Sequence, residues 1–176
     1  METVQRISGW IPGSAEHSVI RVTDDGIELE GVVLGGSLEE PFAIRYAVMA
    51  DTEGRCRGVT ARTIGNPVVL ELFADGKGGW TDADGQVIRE LEGAIDIDLG
   101  VTPVTHALTM RRLGLDMWKA AEVPVACLDV LAGEIELAGR RGKRVGADRF
   151  RVEESATGGG LECRTNEANW SLELLT

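Results

Sequence analysis

The chain has 176 residues, of which 43% are hydrophobic, so a sizeable core is within reach and general disorder is excluded. Its net charge of −11 argues against a nucleic-acid role, because phosphate binding calls for a basic surface. No run approaches the ~20 apolar residues that span a bilayer, and METVQRISGW has no apolar signal core, so a soluble, cytoplasmic protein that does not span a membrane is expected.

Strand signals dominate in chain order. His17 to Thr23 and Gly26 to Leu34 flank Asp24-Asp25-Gly26, a hairpin signal. Phe42 to Met49 alternates, with Phe42, Ile44, Tyr46 and Val48 on one face and Arg45 opposite. Arg55 to Ile64 follows the turn Asp51-Thr52-Glu53-Gly54, and Val68 to Ala74 follows Asn66-Pro67. Val87 to Leu91 and Ala94 to Leu99 read as strands, and Thr105 to Ala121 is the best helix candidate. Val123 to Val130, Glu134 to Leu137, Arg149 to Glu153, Leu161 to Thr165 and Ser171 to Leu174 complete the set. With 23 glycines in the turns, this is a mainly β protein: an antiparallel barrel or half-barrel with few short helices. No composition break marks a linker, so residues 1–176 read as one β domain, and the number of strands allows two similar halves.

The cysteines Cys56, Cys127 and Cys163 are odd in number and form no Cys-x-x-Cys, which favours buried free thiols over a disulfide framework or zinc site. On a strand Asp96 and Asp98 share one face, about 7 Å apart, with Ile95, Ile97 and Leu99 on the other. Such a pair binds a metal, does acid–base work, faces solvent, or pairs with Arg111 and Arg112. No spacing of further oxygen or histidine ligands supports a metal, and no cofactor motif is present. If Arg111 and Arg112 lie on a strand, one faces inward and must be paired, to an aspartate or to an acidic ligand group. His106 follows a Thr-Pro turn and is either a general base or a hydrogen-bonding histidine without chemistry. No Gly-x-Ser-x-Gly accompanies it, so no catalytic residue is assigned. Trp80 follows Gly78-Gly79, where a backbone can approach a ligand. The one basic cluster, Gly139-Arg140-Arg141-Gly142-Lys143-Arg144, reads as a solvated hairpin tip or a contact for anionic headgroups.

Gly79-Trp80, the run IDIDLGVTPVTHALTMRRLGL and the upstream RYAVMAD together resemble the glycolipid-binding family of small bacterial proteins, formerly a domain of unknown function. The resemblance covers Trp10 to Phe150 in outline. It implies a curved antiparallel sheet and a hydrophobic or glycolipid ligand. Trp80, Asp96, Asp98, Thr102, Pro103, Thr105, Arg111 and Arg112 match the family motif. His106 stands where an asparagine is expected, Thr109 where a proline is, and GGLECRTNEANW lacks the family's aromatic-proline ending.

The expected function is therefore non-enzymatic binding of an amphipathic, glycolipid-like small molecule. The expected ligand-binding residues are Trp80, Asp96, Asp98, Thr102, Thr105, His106, Arg111 and Arg112, with an apolar lining from Phe42, Ile44, Tyr46, Val48, Ile95 and Ile97. The rivals are an acid–base hydrolase using Asp96 or Asp98 with His106, and a protein-interaction module. The sequence leaves the oligomeric state open.

Overall fold

The computed structural model describes residues 1–8, 10–11, 13–65, 69–155, 160–166 and 171–175. It is built from two sheets. The first contains seven strands in simple sequence order: β1 (Glu2–Ser8), β2 (Ala15–Val22), β3 (Ile27–Gly36), β4 (Pro41–Ala50), β5 (Cys56–Thr63), β6 (Val69–Ala74) and β7 (Trp80–Asp82), all antiparallel. The second runs β13 (Ser171–Leu175), β12 (Gly160–Asn166), β11 (Arg149–Glu154), β10 (Glu134–Arg144), β9 (Ala120–Asp129), β8 (Asp96–Leu99), and curls into a half-barrel. The mainly β, antiparallel half-barrel expected from the alternation is the architecture found.

One pair departs from the antiparallel rule. Strands β8 and β9 are parallel, with Asp98 opposite Cys127. A parallel pair needs a crossover connection, and helix α1 (Thr105–Leu113) lies in the segment joining the two strands. The expected helix over Thr105 to Ala121 is thus real but shorter. It stops at Gly114, whose φ of 52° is left-handed and whose N–H caps the carbonyls of Met110 and Arg111. Residues Thr105 to Met110 are buried, and Arg111 is exposed.

Inward positions of both sheets meet in a shared core. Ile20, Leu29, Ile44 and Val48 of the first sheet join Ile97, Leu99, Leu128, Phe150 and Val152 of the second, with Leu108 and Met110 of α1. The three cysteines are free and buried, and burial pushes their thiols up to about 12.

Three local expectations change. Val87 to Leu91 is not a strand. Only Val87 pairs, in an isolated bridge to Thr81, and Arg89–Leu91 forms a 3-10 turn. That turn swings Leu91 into the core and leaves Val87 70% exposed. Strand β1 was hidden because two of its three inward side chains, Thr3 and Gln5, are polar. The basic cluster is not a hairpin tip, since β10 runs through it to Arg144 and pairs on both sides.

One position in the first sheet has no room for a side chain. Gly31 on β3 lies opposite Tyr46 on β4, and the Tyr46 ring occupies the place where a Cβ would project. The ring therefore crosses β3 and brings its hydroxyl to Glu16 on β2. Replacing Gly31 with alanine forces the ring aside, and overpacking of this kind costs about 1–3 kcal/mol. Urea denaturation of Gly31→Ala is expected to show that loss. Unchanged stability would mean the ring relocates freely.

Candidate functional site

The site grows from β8, Asp-Ile-Asp-Leu, whose four residues are all buried. Alternation sends Ile97 and Leu99 into the core and leaves Asp96 and Asp98 together on the other face. A buried carboxylate is tolerated only with a partner, and each has an arginine from a different element. Arg112, in the last turn of α1, grips Asp96 with two bonds: Nε donates to Oδ1 at 2.8 Å and Nη2 to Oδ2 at 2.5 Å. Arg140, in the middle of β10, donates from Nε to Asp98 Oδ2 at 2.9 Å.

The expected aspartate–arginine pair is present, through Arg112. The expected alternation of Arg111 and Arg112 is corrected, because on a helix successive residues turn by about 100° instead of facing opposite ways. Arg111 accordingly points away from Asp96 on the exposed side.

The two aspartates differ in one respect. Both oxygens of Asp96 accept hydrogen bonds. Asp98 uses only Oδ2, for Arg140 and a long 4.0 Å contact from Cys127 Sγ. Its Oδ1 is buried without a partner.

Asp98 lies where two cavities meet. The larger, about 570 Å³, runs past Ile11, Val101, Leu131, Ile135 and Glu136. The smaller, about 380 Å³, is bounded by Trp10, His106, Val152, Glu153 and Glu154. Asp98, Gly100 and Arg140 line both. Trp10 is held in place by its indole N–H, which donates to Gly100 O at 2.9 Å. Its ring meets His106 edge to face, with centroids 6.0 Å apart and planes at 75°. His106 is 5% exposed. Burial lowers its pKa, the Asp98 charge opposes that, and Arg140 adds to it, so the imidazole is neutral near pH 7.

The remaining sequence candidates lie elsewhere. Trp80 is in the core with its Nε1–H donating to Ala94 O at 2.8 Å. Thr105 is buried, with Oγ1 unpartnered. Thr102 accepts from Val104 N–H at 3.1 Å and donates to Glu16 Oε1 at 2.9 Å. Neither cavity touches Trp80, Asp96, Thr102, Thr105, Arg111 or Arg112. The expected apolar lining is likewise displaced: Ile44, Tyr46, Val48 and Ile97 are closed core, packed in one cluster to which both sheets and α1 contribute. Among the described residues no three acidic, cysteine or histidine side chains converge to hold a metal ion.

Sequence reasoning missed Trp10, Gly100 and Arg140. Arg140 was findable as the inward member of an alternating strand. It also missed a buried carboxyl, Glu16, which receives Tyr46 Oη–H at 2.5 Å as well as Thr102. Glu16 shares its inward face with Ser18 and Ile20, and strand parity alone would have exposed it.

The chain is thus a mainly β protein of two sheets joined by a helical crossover, with two adjoining cavities that share Asp98, Gly100 and Arg140. The chain belongs to the family described as "Putative glycolipid-binding", whose sequence model matches residues 11–163. The fold is also that of a DUF1089 family protein from Pseudomonas aeruginosa, solved by crystallography at 1.80 Å. The two chains are 24% identical, with a TM-score of 0.76 over 88% of this chain and 85% of that one. No curated protein matches the chain.

Glu16 generates a pH prediction. Burial raises its carboxyl above the ordinary 4.5, and the hydrogen bonds from Tyr46 and Thr102 only partly oppose this. The native state then holds the proton to higher pH than the unfolded chain does. The stability associated with Glu16 is full below 4.5 and is lost as pH rises through the raised value. Urea denaturation of wild type and Glu16→Gln at about pH 5 and pH 8 is expected to show a smaller fall in the variant. Equal falls would mean that Glu16 does not titrate in this window.

Proposed function

We propose that this protein binds an amphipathic small molecule with a glycolipid-like polar head, without turning it over. The observation that carries the reading is Asp98 Oδ1: a buried acceptor with no partner, at the junction of two cavities. Leaving such an atom unmade costs about 1–3 kcal/mol, and a ligand hydroxyl supplies the missing donor. The head sits against Asp98, Arg140 and Trp10, whose indole face suits a sugar ring. The tail follows Ile11, Val101, Leu131 and Ile135 along the larger cavity. Family membership supports the same ligand class.

On this reading Asp98 and His106 face the ligand. Asp96, Arg112, Thr102 and Trp80 hold the frame that places them. A second reading, acid–base hydrolysis, is favoured by one observation: Asp98 and His106 line the same cavity. Turnover of a glycoside or ester substrate that His106→Ala abolishes would support it over the first.

The test of binding is a series of alkyl glycosides of increasing chain length, titrated against tryptophan fluorescence. A buried methylene contributes about 0.8 kcal/mol, so affinity is expected to rise about fourfold per added carbon until the apolar wall is filled. Affinity independent of chain length, or no binding at any length, would refute the proposed tail channel.

A further inference from the structure

The walls of the cleft carry an uneven charge. Six carboxylates line the two cavities (Asp98, Asp129, Glu134, Glu136, Glu153 and Glu154), against the single guanidinium of Arg140. Two of the six are engaged elsewhere. Asp129 Oδ1 accepts the amides of Leu131 and Ala132 in its own turn, and Glu153 pairs with Arg151 at 2.7 Å. Arg140 has no spare charge, since it meets Asp98 at 2.9 Å and Glu154 at 3.8 Å. Glu134 and Glu136 have no cationic partner among the described residues.

Part of this charge lies beside the residue with the unpartnered oxygen. Asp98, Cys127 and Glu136 lie in one row across β8, β9 and β10. The Cys127 thiol, raised first by burial, feels Asp98, Arg140, Glu136 and Glu154 around it. An anionic head group entering here meets three carboxylates and one arginine already neutralised. A cationic one meets a buried free acceptor with acids beside it, where charge-assisted hydrogen bonds are about twice as strong as neutral ones. The carboxylates are strung along the cleft instead of gathered at a point, and the described residues form no metal cage. That spacing suits an organic cation whose neighbouring groups are hydroxyls.

We propose that the head group recognised at Asp98 carries a protonated amine among its hydroxyls, as an amino sugar does, and no phosphate, sulfate or carboxylate. This rests on the binding function proposed above and narrows its ligand class.

The experiment uses alkyl glycosides of one chain length: a 2-amino-2-deoxyglucoside, its N-acetylated counterpart, the plain glucoside and the glucuronide. Calorimetric titration at low salt is expected to find the amine about tenfold tighter than the plain glucoside and the glucuronide about tenfold weaker. N-acetylation should abolish the advantage, and high salt should shrink it. Glu136→Gln should lower the preference for amine over plain glucoside about threefold. If the plain glucoside binds and the amine is no tighter, the charge inference fails and the binding function stands. If none of the four binds, both fail. A glucuronide that binds tightest overturns the inference outright.

Discussion

Two buried carboxylates, one residue apart on a four-residue strand, are the constraint around which this molecule is arranged. Charges taken out of water must be paired, and removing one partner of a buried pair costs about 3–5 kcal/mol. Strand β8 therefore cannot be buried unless arginines reach it from both directions. Arg112 arrives from α1 and Arg140 from β10. The first pairing latches the crossover helix to the strand it follows. The second ties β8 to a strand two places away in the same sheet. Both oxygens of Asp96 are bonded, whereas Asp98 keeps one buried oxygen without a partner.

A second polar link sets the geometry around the first. Glu16 accepts hydroxyls from Tyr46, two strands away, and from Thr102, 86 residues along the chain. Thr102 also holds the Val104 amide at the entry to α1. The turn after β8 is thus pinned to the inner face of the first sheet. The pinning places His106 in the opening turn of α1, where Trp10 meets it from the connection between β1 and β2. Gly31 is required for the same link, because a side chain there would exclude the Tyr46 ring. The cleft is built from the second sheet, from His106 of α1 and from Trp10 and Ile11 in the connection between β1 and β2.

The strands were legible because inward apolar and outward polar residues alternate. Phe42, Ile44, Tyr46 and Val48 were assigned to one face, and Ile44, Tyr46 and Val48 are buried there. What alternation does not tell is whether an inward face meets a cavity or another sheet, and these side chains are core instead of a lining. The pairing of an aspartate with Arg112 was legible from charge and proximity, although the arginine reaches it from a helix. Glu16 and the inward Thr3 and Gln5 of β1 are illegible to a hydrophobic reading because they are polar groups facing inward. Arg140 was obscured by its basic neighbours, which suggested solvent. The lining shared by the two cavities depends on contacts distant in sequence: Trp10 with Gly100 and His106, and Asp98 with Arg140.

The central claim is that Asp98 is the polar anchor of a ligand lying across both cavities. A crystal structure of the protein with the tightest-binding alkyl glycoside tests it most directly. The account predicts a head-group donor within about 2.6–3.2 Å of Asp98 Oδ1, with the alkyl chain along Ile11, Val101, Leu131 and Ile135. A glycoside seated instead in the shallow trough at Val123, Pro124 and Leu137, leaving Asp98 Oδ1 without a ligand contact, would contradict it.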